Sequence, residues 1–288
     1  MSRAQPQSAS VSQPLRGRLR FLRREIAGME NSASSSDAAP RRVPLGHARL
    51  DRMLSGGLKL GGLHEIVAAE GGDHPAAAGF ALALAACLRV ARKHRPLVWI
   101  GEDFAALEQG ALYGPGLALF GIDPDCLLLV HAANAKETLW AMEEALKCGA
   151  PGAVIGEIFS TKFYDLAASR RLVLTAQKNA IPILLFLAGI AGADALSSGA
   201  DTRFEVRANP SPHLASAARR LPLPGVPTWS VRIAKARAGP AGFALDRAFH
   251  PVFWTEVSFR DALSLPISAF SGDGSDSSPR EARQVFGT

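Results

Sequence analysis

The stretch HEIVAAEGGDHPAAAG, His64 to Gly79, has the layout of a phosphate-binding loop and lacks most of its chemistry. A strand-like apolar segment runs into a loop holding Gly71 and Gly72, and an alanine-rich helix follows. A working phosphate loop cradles its anion with backbone amides, reaches the β/γ oxygens with a lysine and holds Mg²⁺ with a hydroxyl. Here Glu70, Gly71 and Gly72 supply a loop that can bend. His74 falls near the lysine position, and Pro75 and Ala76 fall near the hydroxyl positions. Proline removes an amide donor, and alanine cannot ligate a metal. A histidine that is mostly neutral at pH 7 replaces a permanent cation poorly. The expectation is a chain that does not carry out conventional MgATP hydrolysis and needs no cofactor, with ATP as the disfavoured alternative.

Other catalytic constellations are missing from the text. His47, His64, His94, His131, His213 and His250 are scattered without metal-ligand spacing, and no serine stands in a G-x-S-x-G context. Cys87, Cys126 and Cys148 lie far apart and are odd in number, which argues against a disulfide framework or a zinc site and for reduced thiols. Glu143 and Glu144 belong to a helical run, where one carboxylate faces water.

The elements that must position the loop are legible in the pattern. LHEIVAA (63–69), PLVWIGE (96–102), CLLLVHA (126–132), GAVIGEI (152–158) and PILLFLA (182–188) are short and apolar, as strands buried on both faces should be. Between them run helical segments over 75–93, 103–112, 136–148 and 162–179. Strands alternating with helices predict an α/β fold with a mainly parallel sheet. TRFEVRANPS reads as a further strand, and TWSVRIAKARAG and PVFWTEVSF as antiparallel strands closing the sheet.

At the N-terminus, LRGRLRFLRREIAGMEN sets Leu15, Leu19, Leu22, Ile26 and Met29 on one stripe of a helix, with Arg23 among the arginines around it. The predicted organisation is a disordered N-terminus with an arginine-rich amphipathic helix (about 15–30) and linker over 1–42. A core over 43–210, a basic extension over 211–270 and a disordered tail over 271–288 follow.

The 288 residues are 48% hydrophobic, enough for one core of ordinary domain size. The longest apolar run, IPILLFLAGIAGA, falls short of the roughly 20 residues of a membrane span. The first residues, MSRAQPQSASVSQP, lack the apolar core of a signal peptide. No membrane association and a cytoplasmic location are expected. The net charge of +6 is uneven: residues 43–202 carry thirteen basic against sixteen acidic side chains, and residues 203–260 carry nine against three. Basic segments outside the core suit DNA phosphates, an acidic protein face, or plain solvated surface.

Two longer stretches carry a resemblance. LDRMLSGGLKLGGLHEI (50–66) is similar to the entry of the RecA-type recombinase core. LFGIDPDCLLLVHAANAKETLWAMEEALKCGAPGAVIGEI (119–158) is similar to the segment leading to that core's second acidic motif. Within that superfamily LWAMEEAL, RRL (170–172) and ADTRFEV most resemble the ImuA family. The order of elements matches over about residues 43–210.

The resemblance implies a RecA-like core and a non-catalytic adaptor in damage-induced translesion synthesis and mutagenesis. Its partners would be an ImuB-like Y-family polymerase homologue and, indirectly, an error-prone replicative-type DNA polymerase, with RecA a further candidate. It also implies that Glu102 stands where RecA-type ATPases hold a water-activating glutamate, and Glu157 where they hold a metal-associated aspartate. Glu70, Gly71, Gly72, His74, Glu102 and Glu157 would thus form a relic nucleotide site. The alternative is that Glu102 and Glu157 are solvated or cap the next helix.

Residues 189–201 occupy the place of the recombinase DNA-contacting loop. They carry Asp194 and Asp201 and no basic or aromatic residue, so DNA contact there is weak or indirect. The contact candidates are Leu15, Leu19, Leu22, Arg23 and Ile26 in the N-terminal stripe, and Arg219, Arg220, Arg232, Lys235 and Arg237 in the basic extension. Two of the last three share a strand face if the strand runs regularly through Lys235 and Arg237. A DNA-binding RecA-like ATPase and a SulA-like cell-division inhibitor are the alternative functions.

Overall fold

The computed structural model describes residues 41–192, 196–210 and 227–237, and the backbone of 255–258. The chain divides into two units, Met1–Pro40 and Arg41–Thr288, and the first lies wholly outside the described residues.

The second unit opens with β1 (Arg42–Val43), α1 (Ala48–Met53) and β2 (Leu58–Lys59), where β1 and β2 pair antiparallel. The main sheet then begins with β3 (Leu63–Ala68), followed by α2 (His74–Ala91), β4 (Leu97–Glu102), α3 (Asp103–Gln109) and α4 (Gly114–Leu119). Next come β5 (Leu127–Ala132), α5 (Ala135–Cys148), β6 (Ala153–Ile158), α6 (Leu166–Asn179) and β7 (Ile183–Ala191). The described part closes with β8 (Thr202–Asn209), β9 (Thr228–Ala236) and β10 (Thr255–Ser258).

Among the described residues the sheet has eight strands in the order β10-β9-β8-β3-β7-β6-β4-β5. Every neighbouring pair from β8 to β5 is parallel, and β9 and β10 add antiparallel to β8. The expected α/β fold with a mainly parallel sheet and antiparallel C-terminal strands is what the chain forms.

The local reasons are ordinary. Alanine and leucine dominate α2, and Pro75 sits in its first turn, where no intrahelical N–H is needed. Asn134 caps α5 by accepting from Glu137 N at 3.0 Å, and Asp165 caps α6 by accepting from Ala168 N at 2.7 Å. Phe80, Leu84 and Leu88 of α2 pack with Trp99, Phe186 and Phe204 on one face of the sheet. Met142, Leu146 and Leu172 pack with Leu63, Val98 and Leu185 on the other. Gly156 is required by this second layer, since a Cβ there would lie 2.2 Å from Met142 Sδ.

Several expectations change. CLLLVHA is a strand, but the order of the sheet puts β5 at an edge with β4 as its one neighbour, so Leu128 and Leu129 are 59% and 41% exposed. The helix predicted over 162–179 starts at Leu166, behind a 3-10 turn at Thr161–Phe163 and the Asp165 cap. The one predicted over 103–112 ends at Gln109, where Gly110 turns to φ +90°. The expectation that no apolar run approaches the length of a membrane span also needs correction. Gly71–Ala91 is a 21-residue helical stretch with mean hydropathy 1.4 over its best window. Its apolar face is the one packed on the sheet, which accounts for the composition.

Candidate functional site

The sheet gathers the C-terminal ends of β3, β4 and β6 on one rim, where open α/β sheets bind ligands. At the end of β3, Ala69 N donates to Val206 O at 2.8 Å, and the chain then turns through Glu70–Asp73 into α2. The turn is held by a residue that sequence reasoning did not single out. The buried Asp73 carboxylate accepts from Glu70 N at 3.2 Å and, across to β8, from Ala208 N at 2.8 Å. One amide of the loop and one of β8 are thus bonded to a carboxylate of the chain itself. Glu70 is turned outward, with its carboxylate 3.1 Å from Arg207 and largely exposed.

Gly71 and Gly72 are exposed, and a Cβ added at either meets nothing within 4 Å. Neither is glycine because of a close approach. His74 Nδ1 bonds to Gly71 O. A carbonyl only accepts, so Nδ1 carries the hydrogen of this bond. Nε2 of the same ring is buried and has no partner among the described residues.

The two strand-end carboxylates differ. Glu102 Oε2 accepts from Phe159 N at 2.8 Å and Ser160 N at 3.4 Å, which fixes the backbone leaving β6. This is a local capping role. Glu157 accepts a single 3.1 Å bond from Trp99 Nε1, and burial raises its pKa against the opposing effect of that bond.

Beside them lies a cavity of about 490 Å³, whose lining includes His74, Trp99, Phe120, Glu157, Phe186 and Trp229. Among the described residues no lysine or arginine lines it. Of the six residues of the expected relic site, the structure brings His74 and Glu157 together here, and leaves Glu70, Gly71, Gly72 and Glu102 outside the lining. Among the described residues no group of three His, Cys, Asp or Glu side chains could hold a metal. The three cysteines are free thiols, and burial pushes Cys87 up to about 11.

The basic candidates on β9 are directed elsewhere than to an open surface. Arg232 pairs with Glu205 on β8. Lys235 Nζ donates to Ser198 O at 2.6 Å, and burial lowers its pKa. The strand is irregular: the register slips between Arg203 and Phe204, which face Lys235 and Ile233. That slip sets Arg232 and Lys235 opposite Glu205 and Arg203, which share one face of β8. Arg237 is exposed. Leu15, Leu19, Leu22, Arg23, Ile26, Arg219 and Arg220 lie outside the described residues.

The same face holds a buried centre that the text hid inside LHEIVAA. Glu65 accepts from Arg203 Nε at 2.6 Å and from the Tyr164 hydroxyl at 2.5 Å, and burial drives the tyrosine pKa well up. Nearby, Asp201 holds Lys59 at 3.2 Å and accepts from Leu63 N at 3.3 Å. Asp201 is therefore a structural clasp between β2 and β3.

The chain is 30% identical over 202 residues to Protein ImuA from two strains of Caulobacter vibrioides. The matched region covers 66% of this chain and 76% of each relative. The chain belongs to the ImuA family. No family model matches it. Membership in the ImuA family agrees with the resemblance carried by LWAMEEAL, RRL and ADTRFEV, which here form parts of α5, α6 and β8.

Proposed function

We propose that this ImuA-family chain is a non-catalytic, RecA-like adaptor in damage-induced mutagenesis. It helps assemble an error-prone polymerase with an ImuB-like partner. The observation that carries this reading is the Asp73 carboxylate seated on the amides of Glu70 and Ala208. A phosphate brought to this loop meets a buried negative charge and none of the lysine and hydroxyl chemistry that would offset it. A degenerate loop retained as a fold element, with protein contacts in place of hydrolysis, accounts for both facts. The reading includes a cytoplasmic location and no cofactor.

The contacts of such an adaptor fall outside the spent β9 cations. The N-terminal stripe of Leu15, Leu19, Leu22, Arg23 and Ile26 and the stretch with Arg219 and Arg220 are the surfaces we assign to the ImuB-like partner, with RecA as a further candidate. Copurification tests this. Deleting residues 1–30, or separately the residues after 210, weakens capture of the ImuB-like protein. Unchanged capture by both truncations removes the assignment.

A further inference from the structure

The rim opposite the candidate site, where the parallel strands begin, carries cations that the adaptor reading does not use. They come from three parts of the chain: Arg41 ahead of β1, Arg92 and Lys93 past the end of α2, and Arg95 ahead of β4. Arg41, Lys93 and Arg95 are exposed, and Arg92 is half-buried. Arg92 lies near enough to Arg95 and Arg41 that, after burial itself, both lower its pKa, with no carboxylate among the described residues to offset them. None of the four forms an ion pair among the described residues. Arg95 spends one N–H on Gly149 O at 3.0 Å. Elsewhere the cations are matched: Arg203 by Glu65, Arg232 by Glu205, Arg207 by Glu70, Arg171 by Glu143 and Lys59 by Asp201.

Positive charge at the end of α2 would by itself be ordinary, because cations favour that end of the helix dipole. Two features go beyond it. Arg41 and Arg95 belong to other segments. Lys93 and His94 sit at φ +57° and +58°, in the left-handed region where a helix stop usually places glycine. His94 N donates back to Arg89 O at 2.9 Å, so the backbone is that of a glycine stop with two longer side chains built into it. Strain kept at such positions points to a demand other than stability. The surroundings narrow the ligand. A protein partner needs an apolar, aromatic-rich anchor. Of the large exposed hydrophobics among the described residues, Val90 alone belongs to the segments that carry these cations, and no Phe, Tyr or Trp does. A single strand needs aromatic platforms for its bases, whereas the phosphates of a duplex need only cations.

We propose that this rim binds the phosphate backbone of a double-stranded nucleic acid, without reading its bases, through Arg41, Arg92, Lys93 and Arg95. The site is separate from the adaptor contacts, so either assignment can fail without the other.

Fluorescence anisotropy of the full chain with a labelled duplex tests this. The logarithm of the binding constant falls linearly with the logarithm of salt concentration. Arg41→Gln, Arg92→Gln and Lys93→Gly combined weaken binding at low salt by about tenfold or more and make the slope shallower by about three, one for each contact. Lys93→Gly alone makes it shallower by about one and melts no lower than the wild type, because glycine suits the left-handed position. Arg219→Ala with Arg220→Ala leaves the slope unchanged, and the rim variants keep their capture of the ImuB-like protein. Duplex DNA and duplex RNA are compared to name the source of the phosphates, and binding of either supports the site. The proposal is overturned if neither duplex gives salt-dependent binding, if the triple variant keeps the wild-type slope, or if the slope is lost with Arg219 and Arg220 instead. A single strand that binds as tightly as the duplex, or polyglutamate of matched charge that binds more tightly, also overturns it.

Discussion

The β3–β8 side of the sheet and the β4–β6 side treat their buried carboxylates differently. Around β3 and β8 each of four carboxylates has a strong partner: Glu65 has Arg203, Asp73 has two amides, Asp201 has Lys59, and Glu205 has Arg232. Around β4 and β6, Glu102 is bonded to two amides, but Glu157 has one indole N–H and a raised pKa. Satisfied charge makes a rigid scaffold, and a polar group left partly unpaired marks where something else can bind. The phosphate-loop position lies on the satisfied side, and the cavity lies toward the unsatisfied one.

The sharpest way to break this contrast is at Glu65. Arg203→Met strands a fully buried carboxylate and lowers stability by about 3–5 kcal/mol, measured by urea unfolding. A loss well below that would mean the pair is not what holds β8 to β3.

Asp73→Ala is the next largest. It removes the acceptor for two backbone amides and costs about 1–3 kcal/mol in the same assay. Asp73→Asn, which keeps one acceptor oxygen, costs less. If alanine is tolerated without loss, the loop is not held by its own anion.

Glu157 behaves in the opposite sense. Its pKa in the folded chain is raised above the unfolded value, so between the two the native state binds more protons than the unfolded state. Stability therefore falls as pH rises from the unfolded carboxylate range through the raised value. Glu157→Gln keeps an acceptor for Trp99 Nε1 and removes this contribution to the pH dependence. Unfolding of the two proteins across that window should show the decline in the wild type and a flatter profile in the variant. Parallel profiles would contradict the raised value.

The smallest effects belong to the glycines of the loop. Gly71→Ala and Gly72→Ala face open space and should change stability by no more than about 0.5 kcal/mol. A large loss at either would show that the loop needs glycine for a reason other than contact.

The order of elements was legible in the sequence because parallel strands and amphipathic helices have different periods, and the loop could be placed by counting from the first strand. What escaped were pairings between distant positions. Glu65 looks like a stray charge in LHEIVAA until Arg203, 138 residues on, faces it. Asp73 looks like loop polarity until Ala208 N reaches it. Arg232 and Lys235 look like a basic surface because a bulge in β9 cannot be read from residue types. CLLLVHA looks like a central strand because composition does not say which strand is last in the sheet. The elements of the cavity are strand ends and a helix start, and its aromatic residues read equally as core.

The central proposal is that the loop after β3, tied to β8 by the chain's own Asp73 carboxylate, does not serve a nucleotide. Calorimetric titration of ATP with Mg²⁺ into the full chain, paired with a phosphate-release assay with and without single-stranded DNA, tests it directly. The account predicts no saturable heat from the triphosphate and no phosphate release. Saturable, Mg²⁺-dependent ATP binding with DNA-stimulated release would contradict it.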